Sequence, residues 1–189
     1  MYCIADVLPS RRVLWMATHV ATMLVATICA VKIVHGQTLL NRGNDPFLQI
    51  SREIPNCPEP AGPRISEAEW KREAHHRIEE GNHCYMEGRC RLANAYQYDK
   101  DIAEALQRRL DTLRHAMPGW QQSSLWIMVR GRWLTVQGCV APDFDHKGFS
   151  SALREVPDVD RVIDQTTATP ARGVPYTRYD DAVTNTPSR

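Results

Sequence analysis

The chain has 189 residues, 43% of them apolar and 24% charged, which fits one modest globular domain with extensions and excludes a large multidomain enzyme. Its 23 Lys and Arg residues against 22 Asp and Glu residues leave a formal charge of +1. A near-neutral chain lacks the broad basic field that attracts polyanions, so nucleic acid is not an expected partner.

The N-terminal part contains an apolar run over residues 13–31, preceded by Arg11 and Arg12. A helix of this length approaches the ~30 Å thickness of a bilayer core, and the paired arginines would stay on the cytoplasmic side. Residues 1–36 are therefore expected to be either a signal peptide cleaved near Gly36 or an anchor in the inner membrane. Both interpretations place the rest of the chain in the periplasm.

Four cysteines lie beyond this leader, and an even number in an oxidising compartment predicts two disulfides. Sequence alone does not choose among the three connectivities. Gly88 allows the tight turn that a short bridge between Cys84 and Cys90 needs, which would leave Cys57 to pair with Cys139.

Residues 37–100 form two predicted parts before the main periodic region. Residues 37–65 are Pro-rich and without sustained periodicity, which is typical of an extended linker that ends in a strap. Residues 66–100 are expected to be a small disulfide-bonded helical subdomain. Its helix begins with a capping box of Ser66 and Glu69, and its apolar stripe is too narrow to enclose a core.

Residues 101–167 carry the strongest periodicity, which predicts the order helix, strand, strand, helix, strand. Asp101 is expected to cap the first helix, and Asp143 or Asp145 the second. The Arg130–Gly131–Arg132 turn would join the first two strands, and the third strand would start at Val159. Six residues are expected in the core: Leu106, Leu110, Leu134, Val136, Leu153 and Val162. Residues 168–189 have the composition of a disordered tail.

Residues 101–167 resemble the BON domain, a small module of bacterial envelope proteins, through MVRGRWLTVQGCV and VPDVDRVIDQ. The expected fold is α+β, with two helices on one face of a three-stranded sheet. Asp158 stands where the family usually has glycine, and aspartate tolerates the left-handed backbone needed there. The resemblance implies association with phospholipid membranes or with envelope and secretion assemblies, and it implies no shared catalytic residues.

The enzymatic and metal-binding alternatives are weaker. Ser123 and Ser124 belong to no nucleophile-elbow pattern, so no catalytic residue is expected. A zinc site could in principle be formed by His75, His76, His83, Cys84 and Cys90. Their spacing matches no standard zinc site, and a disulfide between Cys84 and Cys90 is the better interpretation. No metal and no cofactor is predicted.

The second face of the hairpin is the candidate binding surface. Strand alternation that directs Leu134 and Val136 toward the helices directs Cys139 and two tryptophans away from them. This face is too apolar to be bare, so either the strap around Cys57 and the helix of Trp70 cover it, or it docks a partner. The candidate residues are Trp126, Met128, Trp133, Arg130 and Arg132. The two arginines would either contact lipid phosphates or form a solvated turn.

The sequence thus predicts a non-enzymatic, exported envelope protein. The leading hypothesis is an accessory or adaptor of a membrane-associated assembly, such as a secretion complex, that docks through its BON-like domain. The alternative is a phospholipid-binding stress or barrier protein. Similarity in element order to ring-building modules of secretion systems also allows a homo-oligomer.

Overall fold

The computed structural model describes residues 38–79 and 82–184. The predicted leader, residues 1–36, lies outside the described residues. The strands are β1 (Phe47–Arg52), β2 (Ser124–Arg130), β3 (Trp133–Cys139) and β4 (Arg161–Thr167). The helices are α1 (Glu67–Glu79), α2 (Asn82–Met86), α3 (Asp99–Ala116), α4 (His146–Arg154) and α5 (Tyr179–Thr184). Within the described ranges, no helix is both long and apolar enough to span a membrane.

The sheet has four strands in the order β1-β2-β3-β4, so the prediction of a three-stranded sheet is wrong. β2 and β3 form the predicted antiparallel hairpin, and β4 joins β3 in parallel after the α4 crossover. The additional strand, β1, pairs antiparallel with β2, and its register shifts between Gln49 and Ser51. The class is α+β, as predicted, with an edge strand taken from the region expected to be a linker.

The core lies between α3, α4 and one face of the sheet. Leucines of three elements, Leu106, Leu134 and Leu153, have no exposed surface. Leu110, Val136 and Val162 are also buried, so all six predicted core residues are confirmed. The alternation of β2 and β3 and the helical period of α3 and α4 therefore point to the same core.

The helix ends follow the predicted signals in two cases of three. Ser66 and Glu69 form the capping box of α1, with the Ser66 backbone N–H donating to Glu69 Oε2 at 2.9 Å. Asp145, one of the two predicted caps, accepts from the Gly148 N–H at the start of α4. The predicted cap Asp101 is wrong, because a 3₁₀ turn capped by Asn94 leads directly into α3 at Asp99.

Two segments cover the sheet face opposite the helices, here called the far face. The strap, residues 53–65, is bound to it by the Cys57–Cys139 disulfide. The C-terminal segment, residues 174–184, lies beside the strap, since the Ala61 N–H donates to Thr177 O at 2.8 Å and Tyr176 Oη donates to Pro58 O at 2.7 Å.

The predicted disordered tail, residues 168–189, therefore differs from the structure over its described part. Tyr176 is buried, and α5 follows it. The segment is ordered because it adds main-chain hydrogen bonds and one buried ring to the strap, a non-local gain that polar composition does not indicate. Residues 185–189 lie outside the described residues.

Candidate functional site

The predicted binding surface divides into a covered part and an open part. Trp126 is only 8% exposed and lines a recess with strap residues Pro55, Asn56 and Cys57. Met128 is half-buried, and Trp133 is 41% exposed. The strap thus removes Trp126 from solvent, while the hairpin end of the same face stays accessible.

The open part borders a cavity of about 570 Å³. We call it the hairpin-tip cleft. It is formed by the hairpin turn, the cysteine loop and the turn before β4, and it brings together four of the five predicted surface residues. Its lining residues are His83, Cys84, Arg89, Ala95, Tyr96, Met128, Arg130, Gly131, Arg132, Trp133, Thr135 and Asp160. The lining holds three guanidinium groups and one carboxylate, and two of these guanidinium groups, those of Arg89 and Arg130, also pair with Glu87 and Glu73.

The hairpin turn at the tip is held by a buried carboxylate. Gly131 and Arg132 both have positive φ, 57° and 70°, as a two-residue turn of type I′ requires. Asp99 Oδ2 accepts from the Gly131 N–H at 2.7 Å, and Asp99 Oδ1 accepts from the Arg132 N–H at 2.8 Å. Burial raises the pKa of Asp99 to about 6, although these two hydrogen bonds act in the opposite direction.

Arg132 occupies a backbone conformation that is unfavourable for a side chain larger than glycine. Its Nε donates to Asp158 O at 2.9 Å, and its guanidinium lies 5.2 Å from the ring centroid of Tyr98. Its Nη1 lies 2.9 Å from Cys90 Sγ and 3.7 Å from Cys84 Sγ. Asp158 itself has a φ of 65°, so the left-handed backbone expected at that position is present.

Arg130 belongs to a charge network that joins α1 to the sheet. Its Nη2 lies 2.7 Å from Glu73 Oε1, which also accepts from Arg77 Nη2 at 2.7 Å. Arg77 makes a second, two-pronged contact with the buried carboxylate of Asp45. Burial lowers the pKa of Arg77, but the hydrogen bonds with Asp45 and Glu73 outweigh it and leave the pKa raised. The network holds Arg130 at the cleft.

Trp133 lies at the rim of the cleft between two charged residues. Its Nε1 donates to Asp160 Oδ2 at 3.2 Å, and the guanidinium of Arg161 lies 4.7 Å from its ring centroid. The ring is thus oriented while remaining largely accessible. An amphipathic aromatic beside arginines is suited to an interface between water and a less polar phase.

The cysteine loop carries two exposed apolar side chains. Tyr85 and Met86 follow Cys84 in α2, and they are 48% and 81% exposed. Gly88 has a φ of 69° in the turn that leads back to Cys90. Both favoured disulfides, Cys84–Cys90 and Cys57–Cys139, are present. Tyr98, which follows the cysteine loop, is buried, and its hydroxyl accepts from the Leu92 N–H.

The arrangement closest to an acid–base pair lies away from the cleft. His146 Nδ1 is 2.7 Å from Asp164 Oδ2, and Thr166 Oγ1 is 3.2 Å from the same ring nitrogen. Because the hydroxyl and the carboxylate meet one nitrogen, they do not form the relay in which a base stands between them. The group ties α4 to β4. No group of three or more potential metal ligands exists among the described residues.

The sequence pattern predicts a shared surface for Met128, Trp133 and the two arginines, and the structure places all four in the cleft lining, but the pattern does not identify the groups that position them. Asp99 falls in the segment predicted before the helix, and Asp45 in the predicted linker. Asp99 lies two residues before the predicted start of the helix. Such a carboxylate can be recognised as a buried hydrogen-bond acceptor only after the hairpin that donates to it has been placed. A comparison of the chain with family models, curated proteins and solved structures finds no match.

Proposed function

We propose that this protein is an exported, non-enzymatic docking protein of the cell envelope, and that its hairpin-tip cleft binds an anionic phospholipid surface. The observation that carries the proposal is the placement of Arg89, Arg130 and Arg132 in one cleft with the exposed ring of Trp133 at its rim. Guanidinium groups bind phosphate in two-pronged geometry, and tryptophan favours the headgroup region of a bilayer.

The closure of the far face favours a lipid over a broad protein partner. The strap and the C-terminal segment occupy the apolar surface that a docking protein would have used, with Trp126 already buried there. The remaining accessible surface is a concave cleft lined by three arginines, and the exposed Tyr85 and Met86 directly follow Cys84 of its lining in the sequence. Such a surface suits a headgroup phosphate and shallow insertion of a few side chains.

Export is supported by the two disulfides. Stable disulfides form in oxidising compartments, and four of the six cysteines in the chain are paired here. The location that fits best is the periplasm, with residues 1–36 as a cleaved signal or an anchor.

Vesicle flotation tests the proposal. Residues 37–189, which contain every described element and lack the apolar run, are first checked for folding by circular dichroism. They should float with vesicles that contain phosphatidylglycerol and not with pure phosphatidylcholine. The double change Arg130→Gln and Arg132→Gln should weaken binding roughly 30-fold, since each basic residue near an anionic surface contributes about 1 kcal/mol. Arg109→Gln, on the opposite side of the sheet and bonded to Ala152 O, is the matched control.

The second candidate is an adaptor of an envelope or secretion assembly. It is favoured by the residue types at the cleft, because Trp, Tyr, Met and Arg are enriched where proteins meet. Absence of flotation, together with a membrane complex that co-purifies with the wild type and is lost with Trp133→Ala, would establish this candidate and reject the lipid proposal. Equal binding to neutral and anionic vesicles would also reject the proposal that the cleft binds anionic phospholipid.

A further inference from the structure

The two disulfides occupy different environments. Cys139 has no exposed surface, and its bridge to Cys57 joins residues 82 apart beneath the strap. Cys84 and Cys90 are only six residues apart, both are half-buried, and Cys84 lines the hairpin-tip cleft. An incoming group in the cleft can therefore reach Cys84, whereas the other bridge can be approached only at Cys57, which is half-buried and lines the recess beside Trp126, and not at Cys139.

A cation is held against the Cys84–Cys90 bridge. Arg132 Nη1 lies 2.9 Å from Cys90 Sγ, nearer than its 3.7 Å to Cys84 Sγ. The guanidinium is fixed in place by its hydrogen bond to Asp158 O and by the Tyr98 ring. A fixed positive charge stabilises a thiolate relative to a thiol, so Cys90 is the better leaving group of the pair.

Main-chain hydrogen bonds hold the cysteine loop in addition to the sulfur–sulfur bond. Cys84 O accepts from the Arg89 N–H at 2.8 Å and from the Cys90 N–H at 3.0 Å. These two main-chain hydrogen bonds would keep both sulfurs near each other after reduction. The backbone at Arg132 has a φ of 70°, which glycine or asparagine would adopt at lower cost. The contact of its guanidinium with the bridge gives a functional reason for an arginine at this strained position.

We propose that Cys84–Cys90 is a redox-active disulfide that transfers oxidation to the dithiol of a partner protein, an activity separate from membrane docking. A partner thiolate attacks Cys84 Sγ, the Cys84–Cys90 bond breaks, and its electron pair leaves on Cys90 as a thiolate beside Arg132. The second partner thiolate then attacks the partner sulfur of the mixed disulfide and releases Cys84. The partner loses two electrons and two protons and gains a disulfide, while Cys84 and Cys90 become a dithiol.

The test uses the full chain with Cys3 and Cys29 changed to serine, equilibrated in glutathione redox buffers. After rapid alkylation, mass spectrometry of peptides gives the reduced fraction of each bridge. We expect Cys84–Cys90 to exchange with glutathione at least about tenfold faster than Cys57–Cys139. Attack on the half-buried Cys57 would expel the fully buried Cys139, which is a poorer leaving group than Cys90 beside Arg132. We expect Arg132→Gln to shift the equilibrium toward the disulfide by about tenfold, the value of one charge-assisted hydrogen bond.

Two variants separate charge from folding. Arg132→Lys keeps a cation and should restore part of the shift, whereas Arg109→Gln removes a remote guanidinium and should leave the equilibrium unchanged. Continued resistance of Cys57–Cys139 in Arg132→Gln shows that the fold is intact. The proposal is overturned if both bridges exchange equally slowly, or if Arg132→Gln and the wild type have the same equilibrium constant with glutathione.

Discussion

The backbone N–H of Arg132 donates to Oδ1 of Asp99 at 2.8 Å, a contact that joins the tip of the hairpin to the first residue of α3, 33 residues earlier in the chain. The other carboxylate oxygen accepts from Gly131, so both positive-φ residues of the turn are held by one side chain. The conformation of the turn that borders the cleft is therefore held by a single buried carboxylate.

The first prediction concerns the pH dependence of stability. The pKa of Asp99 is about 6 in the folded state against an ordinary value of 3.8, so the native state binds this proton more tightly than the unfolded state. The contribution of Asp99 is fully present below the ordinary value and is lost as pH rises through about 6, a change of roughly 3 kcal/mol. Urea unfolding between pH 4 and 7 should show Asp99→Asn without this decline.

Asp164 is expected to affect stability with the opposite pH dependence. Burial raises its pKa, but hydrogen bonds from Thr166 and His146 outweigh burial and lower it, so its contribution is lost as pH falls. Asp164→Asn should therefore remove stability at pH 7 and not at low pH. For the first prediction, parallel pH profiles of stability for the wild type and Asp99→Asn would contradict the raised pKa of Asp99.

The second prediction concerns Gly138 in β3. A Cβ at this position would lie 2.0 Å from Ser124 O in the neighbouring strand, and the backbone has a φ of 133°. Gly138→Ala should lower the free energy of unfolding by about 3 kcal/mol or more, because backbone must move. Gly119→Ala is the control, since a Cβ there meets nothing within 4 Å, and it should change stability by less than about 0.5 kcal/mol. Chemical denaturation compares them, and equal losses would refute the steric explanation.

The third prediction compares the two disulfides as cross-links. In the chain-entropy account, a bridge across 82 residues stabilises by about 4 to 5 kcal/mol and one across six residues by about 2 kcal/mol. Cys57→Ser with Cys139→Ser should therefore cost about twice as much as Cys84→Ser with Cys90→Ser. Thermal unfolding of both double variants measures this, and a larger loss from the short loop would reverse the assigned roles.

The fourth prediction concerns the contact between α3 and the sheet. Leu110 is 5% exposed in the core cluster, so Leu110→Ala should cost roughly 2 to 5 kcal/mol. Ile78 is 68% exposed on α1, and Ile78→Ala should leave stability within about 0.5 kcal/mol. A loss below ~1 kcal/mol for Leu110→Ala, by calorimetry, would mean that α3 contributes little to the core.

Local periodicity predicted the elements whose partners lie close in sequence. The hairpin and α3 each repeat an apolar pattern over several turns or pairs, so Leu134 and Leu106 could be placed correctly. β1 could not, because it is a six-residue edge strand whose partner lies more than 70 residues away and no hairpin turn marks it. Likewise, Tyr176 is a single buried ring within a polar segment, and one residue does not make a period.

The candidate site was predictable in composition and not in geometry. Alternation placed Met128 and Trp133 on one face, and the turn sequence placed Arg130 and Arg132 at its tip. The closure of that face over Trp126, and the contact between Arg132 and the sulfurs, arise from segments distant in sequence. Contacts of this kind are set by tertiary packing, and a local pattern of residue types does not predict them.

The nesting of one disulfide inside the other has a consequence for the order in which the protein matures. Because a polypeptide is made from its N-terminus, Cys57 meets Cys84 and Cys90 before Cys139 exists, and pairing in order of appearance would join Cys57 to Cys84. The native bridge of Cys57 instead spans both of them. Tyr176 completes the far face through a contact with Pro58 across 118 residues, so this side closes only when nearly the whole chain is present. Correct oxidation therefore calls for delayed bridge formation or for isomerisation on a timescale of seconds to hours.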